Sequence, residues 1–144
     1  MDATAADPTQ LSQVIAHATA PSFLLGAVSG FVAVLMGRMN GIIDRIRSLN
    51  AIAEDDAARA PLKGDLPRLK ARAKLINLAI FLAVGSAICT TLLVIIAFVS
   101  AFFGFRHEPG AGLMFVVALG LLGGSLTQLA REVRIALNEY DHFG

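Results

Sequence analysis

The chain has 144 residues, of which 56% are hydrophobic and 16% charged, with a mean hydropathy of +0.67. A soluble domain of this size needs more polar surface, so the composition excludes an ordinary soluble globule. The net charge of +1 selects no partner by itself, and the single cysteine, Cys89, excludes an intrachain disulfide and a cysteine-held metal centre.

Residues 1–19 contain Asp2 and Asp7 and no lysine or arginine. A cleaved signal needs a basic segment ahead of its apolar run, so this segment reads as retained. Asp7-Pro8 predicts the start of an external or interfacial helix over 7–19, with Asp as N-cap and Pro at the first helical position. Leu11, Val14, Ile15 and Ala18 give it an apolar face. A first span over 20–37 follows, and Pro21 is expected to kink the helix where it enters the membrane. Met39, Ile42 and Ile43 prolong its apolar side and predict a helical extension over 38–50. Residues 51–65 (AIAEDDAARAPLKGD) are polar, contain Pro61 and Gly64, and predict a loop. Asp65 and Pro67 mark the start of a long helix over 66–105, whose apolar part begins at Leu75. That run exceeds the roughly 20 residues needed to cross about 30 Å of hydrocarbon, so it must tilt or project. Pro109-Gly110 predicts a tight external turn over 106–110. A third span covers 111–129 and a helical tail covers 130–144. The expected fold is therefore all-α, a single membrane domain with three transmembrane helices.

Orientation follows from the basic residues. Arg38, Arg45, Arg47, Arg59, Lys63, Arg68, Lys70, Arg72 and Lys74 all fall between the first and second spans, and Arg131 and Arg134 follow the third. The connection between the second and third spans has only Arg106. This asymmetry predicts a multi-pass protein of a bacterial inner (cytoplasmic) membrane, with the N-terminus outside and the C-terminus cytoplasmic.

Successive residues about 100° apart around each helix axis define its faces. Ser22, Gly26, Ser29, Gly30, Ala33 and Gly37 share one face of the first span. Ala79, Ala83, Ser86, Thr90, Ala97 and Ala101 share one of the second, and Gly112, Gly120, Gly123 and Thr127 one of the third. Small residues let membrane helices approach closely, so these stripes predict packing contacts. The alternative is that Ser86, Thr90 and Thr127 line a pore. Beyond the spans the helices stay amphipathic. Met39, Ile42, Ile43, Ile46 and Leu49 share a face; so do Leu66, Leu69, Ala73 and Ile76; so do Leu126, Leu129, Ala130, Val133, Ala136, Leu137 and Tyr140. These faces predict a three-helix cytoplasmic bundle. For 66–76 the competing reading is a helix lying on the membrane, with Arg68, Lys70, Arg72 and Lys74 against anionic lipid head groups.

The pattern Arg38-Met-Asn-Gly-Ile-Ile-Asp44-Arg45-Ile-Arg47-Ser-Leu49-Asn, after a first span entered through a proline, resembles the DUF2721 family. Arg68-Leu-Lys-Ala-Arg72-Ala-Lys74 before the second span and Arg131-Glu-Val-Arg134-Ile-Ala-Leu after the third fit the same pattern. The likeness covers roughly 10–140. It implies a bacterial three-span membrane protein and supplies no activity and no functional residues.

The spans contain no Asp, Glu, Lys, Arg or His, and intramembrane ionisable groups mark pumps and proton-coupled carriers. Asn77 is expected to make an interhelical hydrogen bond. His17 is solitary, and the pairs His107-Glu108 and Asp141-His142 are too few for a metal centre. No nucleophile has a base within a turn, so no enzyme, cofactor or metal is expected. The basic run is interleaved with Glu54, Asp55, Asp56 and Asp65, which argues against nucleic acid. The leading functional reading is a non-enzymatic scaffold, self-associating or binding another membrane protein through the small-residue helix faces and a charged cytoplasmic bundle. Asp44, Arg45, Arg47, Arg131 and Glu132 are its candidate interaction residues, and an ion pair from Asp44 or Glu132 to an arginine of a neighbouring helix is expected. The alternative is a homo-oligomeric ion channel or permeation pathway; a third is binding of anionic lipid.

Overall fold

The computed structural model describes residues 8–104 and 108–142. Asp2, Asp7, Arg106 and His107 lie outside these, as do the side chains of Val14, Glu108, Tyr140, Asp141 and His142. Three long helices account for nearly all of the rest: α1 (Pro8–Asn50), α2 (Leu66–Phe103) and α3 (Glu108–His142), with a short 3-10 helix over Ala60–Asp65. At about 1.5 Å per residue they run about 65, 57 and 52 Å. All three are long and apolar enough to cross a membrane, and each outruns the about 30 Å of hydrocarbon by two or more turns. The chain is a multi-pass membrane protein whose helices continue beyond the bilayer as one bundle.

The packing follows a seven-residue repeat. On α1 the buried positions are Pro21, Val28, Leu35, Ile42 and Leu49. On α2 they form two interleaved sets, Leu69, Ile76, Ala83 and Thr90, and Ala79, Ser86 and Leu93. On α3 they are Ala118, Ser125 and Glu132. A strict seven-residue period at 3.5 residues per turn keeps one seam facing its partner along a left-handed supercoil. Leu24, Val32, Met39, Ile80, Leu122 and Leu129 pack around the buried set. α2 is the central helix: it packs along both neighbours, while α1 and α3 meet at only a few points.

This period moves two expected packing faces outward. Ser22, Gly26, Ser29, Gly30, Ala33 and Gly37 on α1 are all exposed, and so are Gly112, Gly120, Gly123 and Thr127 on α3. The seam of each helix is instead formed by the heptad positions on its other side. The stripe on α2 does pack inward as far as Thr90, with Ala79, Ala83, Ser86 and Thr90 fully buried. The segment 66–76 continues α2 in the bundle, with Leu69 and Ile76 in its core.

α1 runs unbroken from Pro8 to Asn50 with Pro21 inside it; the hydroxyls of Thr19 and Ser22, on either side of the proline, bond the carbonyls of Ile15 and Ala18 at 2.9 and 2.7 Å. Helix ends differ from the sequence expectation at two points. Pro109 and Gly110 lie in the first turn of α3 rather than in a turn between helices, where proline's missing N–H removes no helical bond. The chain leaves α2 at Gly104, whose φ of 72° is left-handed and whose N–H bonds Ser100; glycine takes that conformation without the steric cost of a Cβ. Within the predicted loop 51–65, Asp56 accepts from the Arg59 N–H at 3.3 Å and the 3-10 helix leads directly into α2.

Candidate functional site

The three helices are tied together by polar contacts that α2 and α3 make one heptad apart. Ser86 Oγ donates to the Ala118 carbonyl at 2.7 Å. Ser125 Oγ donates to the Ala79 carbonyl at 2.6 Å. Arg72 Nε donates to Glu132 Oε1 at 2.9 Å. Each step moves seven residues down α2 and seven up α3, as an antiparallel heptad pair requires. The serines allow this because their side chains are short: a leucine at either position would hold the backbones apart. Close approach is also visible at Gly124, where an added Cβ would lie 3.3 Å from Leu82 Cδ1.

The third contact opens into a charged layer. Glu132 is fully buried. Its Oε1 is held by Arg72 of α2, and its Oε2 by Arg38 of α1, through Nε at 2.8 Å and Nη2 at 2.6 Å. Arg38 takes the two-point grip on one carboxylate oxygen that the guanidinium fork permits. One acid and two bases leave a formal charge of +1 on the layer. Gln128, one turn along α3 from Glu132, has a buried Oε1 with no hydrogen-bond partner among the described residues.

The predicted site residues therefore separate. Of the interaction set, Glu132 is buried in the bundle, while Asp44, Arg45, Arg47 and Arg131 are exposed at its basic end. Glu132 makes the expected ion pair with arginines of neighbouring helices; Asp44 makes none among the described residues. Of the head-group set, Lys70 and Lys74 are exposed on the outer strip of α2, Arg68 is half-buried, and Arg72 turns inward to Glu132. Of the hydroxyl set, Ser86 and Thr90 are fully buried, and Thr90 Oγ1 bonds the Ser86 carbonyl at 2.8 Å. Thr127 is exposed and bonds the Gly123 carbonyl of its own helix at 2.9 Å. Asn77 is exposed, and the interhelical hydrogen bonds expected of it come from Ser86 and Ser125 instead. Arg38 and Ser125 were not singled out by sequence; both are in heptad phase with apolar neighbours, which is the signal that finds them. His17 is exposed, Cys89 is half-buried, and among the described residues no three His, Cys, Asp or Glu side chains gather as metal ligands.

The arrangement thus supplies helix register and a basic surface. The family model described as "Protein of unknown function (DUF2721)" matches residues 18–142, so the chain belongs to that family. No curated protein and no solved structure matches it. The matched range includes α1 from residue 18 onward, α2, α3 and the whole Arg38–Glu132–Arg72 layer.

Proposed function

We propose that this DUF2721 protein is a non-enzymatic scaffold of a bacterial inner membrane that self-associates through the outer face of α1. The observation that carries the reading is the small-residue stripe of that helix. Ser22, Gly26, Gly30, Ala33 and Gly37 are all exposed on the surface of the bundle. A Cβ added at Gly26, Gly30 or Gly37 would meet nothing within 4 Å. In lipid, a smooth surface of this kind favours close helix–helix approach over lipid contact. Engagement of the Ser86, Thr90 and Ser125 hydroxyls by backbone carbonyls supports a structural role for them and a non-catalytic protein.

The distribution of basic residues supports an orientation with the N-terminus outside and the C-terminus cytoplasmic. In that orientation Asp44, Arg45, Arg47 and Arg131 face the cytoplasm and offer a soluble or membrane partner a charged surface. The test is native mass spectrometry of the full chain from nanodiscs, for the wild type and for Gly26→Leu/Gly30→Leu. The reading expects an oligomer that falls to monomer in the variant. A monomeric wild type, or a variant that keeps its assembly, overturns it.

A further inference from the structure

The seam between α1 and α3 is the open side of the bundle, because α2 separates the two helices along most of their length. Arg38 bridges this seam to Glu132 and remains 34% exposed. Its Nε and Nη2 both face Oε2 of Glu132, and its Nη1 has no partner among the described residues. Gly41 lies three residues beyond Arg38 and Arg45 seven beyond, so all three line the same edge of α1. Arg45 is exposed. A Cβ on Gly41 would meet nothing within 4 Å. The edge is thus a notch: Arg38 and Arg45 stand a heptad apart, and between them lie Gly41, which has no side chain, and Ile42, whose side chain is buried in the core.

On the opposite side of Arg38 the seam turns apolar. Val34, one turn back along α1, is 56% exposed, and Leu126 of α3 is 49% exposed. Arg38 is the first charged residue after the apolar run of α1, which sets it at head-group depth. Two arginines beside exposed apolar side chains at that depth match an amphiphile with a phosphate at one end and an acyl chain at the other. Glu132 does not oppose this, because its carboxylate is fully buried behind Arg38 and both of its oxygens are held by arginine.

We propose that the α1–α3 seam is an anionic-phospholipid site, with the lipid phosphate between Arg38 and Arg45 above Gly41 and an acyl chain along Val34 and Leu126. Arg45 offers the phosphate its guanidinium fork and Arg38 offers Nη1, which sets the affinity. The net positive layer favours phosphatidylglycerol over a zwitterionic head group. This site lies on a different edge of α1 from the stripe proposed for self-association and stands without it.

The experiment measures lipid retained by the full chain in neutral detergent, by native mass spectrometry, titrating dioleoyl phosphatidylglycerol or dioleoyl phosphatidylcholine. Arg45→Gln and Gly41→Leu alter the notch and leave the buried ion layer intact; Lys70→Gln/Lys74→Gln removes the same kind of charge from the outer strip of α2. Far-UV circular dichroism confirms that each variant is folded. Phosphatidylglycerol is expected to be retained over phosphatidylcholine. Arg45→Gln should weaken its retention about fivefold, the effect of one basic residue at an anionic surface. Gly41→Leu should weaken it as well by filling the notch, and the lysine variant should retain wild-type binding. Equal retention of the two lipids overturns the proposal, as does unchanged binding in Arg45→Gln and Gly41→Leu. Loss confined to the lysine variant places the lipid elsewhere. Competition by inorganic phosphate at equimolar concentration assigns the notch to a soluble anion instead.

Discussion

Replacing Glu132 by Gln keeps the side chain's shape and removes its charge, leaving two guanidinium groups facing a neutral amide. The carboxylate is fully buried, and its arginine contacts are 2.6 to 2.9 Å long. Removing one member of a buried ion pair typically costs about 3–5 kcal/mol, because the partner charge stays buried and uncompensated. Arg72 is 17% exposed but Arg38 is 34% exposed, so solvent screens part of the Arg38 charge and the lower end, about 3 kcal/mol, is expected. Removing all three charges should behave differently. A triple variant, Arg38→Met/Arg72→Met/Glu132→Met, leaves no stranded charge, and such replacements are often neutral or stabilising by about 1–4 kcal/mol. The assay is SDS-induced unfolding of the full chain in mixed micelles, followed by far-UV circular dichroism. A Glu132→Gln cost below about 1 kcal/mol, the value of a surface pair, would refute the reasoning. So would a triple variant as unstable as the single one.

The serine contacts and the glycine approach predict smaller effects in the same assay. Ser86→Ala and Ser125→Ala should each cost about 0.6 kcal/mol and at most about 1.7 kcal/mol, the range for interhelical bonds in membranes. Thr127→Val should be near neutral, because its hydroxyl serves only its own helix. Gly124→Leu should destabilise by about 1–3 kcal/mol through overpacking against Leu82. Its neighbour Gly123 faces open space, so Gly123→Leu should be neutral or stabilising by up to about 1 kcal/mol through helix propensity.

The three spans were legible because apolar runs of the right length have few other uses. The rotational phase of the helices was harder to read, for two physical reasons. In lipid both the inner and the outer faces of a helix are apolar, so polarity does not say which face is buried. The stripe from Ser22 to Gly37 for that reason marks a packing face without saying whether its partner is a helix of the same chain or of another. In addition, a helix wheel drawn at 100° drifts about 20° per heptad from a strict seven-residue seam. Over the 43 residues of α1 that drift amounts to about a third of a turn. Following Val28, Leu35, Ile42 and Leu49 at steps of seven recovers the true face. The same steps on α3 carry Ala118 to Ser125 to Glu132, and on α2 they carry Leu93 to Ser86 to Ala79 to Arg72. An ion pair from Glu132 was legible in the sequence, but its burial was not, because a carboxylate beside an apolar face is ordinarily solvated. Its burial requires arginines from two other helices, a long-range fact that no local window contains.

The claim that the outer face of α1 mates with a second copy is tested most directly by cysteine cross-linking in native membranes. With Cys89 replaced by Ser, Ala33→Cys puts a thiol in the middle of the outward stripe, and Phe81→Cys puts one on the exposed strip of α2. A twofold contact brings a residue near its axis against its own copy. Mild oxidation should therefore give disulfide dimers of the Ala33→Cys protein and leave the Phe81→Cys protein monomeric. Monomer from Ala33→Cys, or equal dimer from both, would contradict the account.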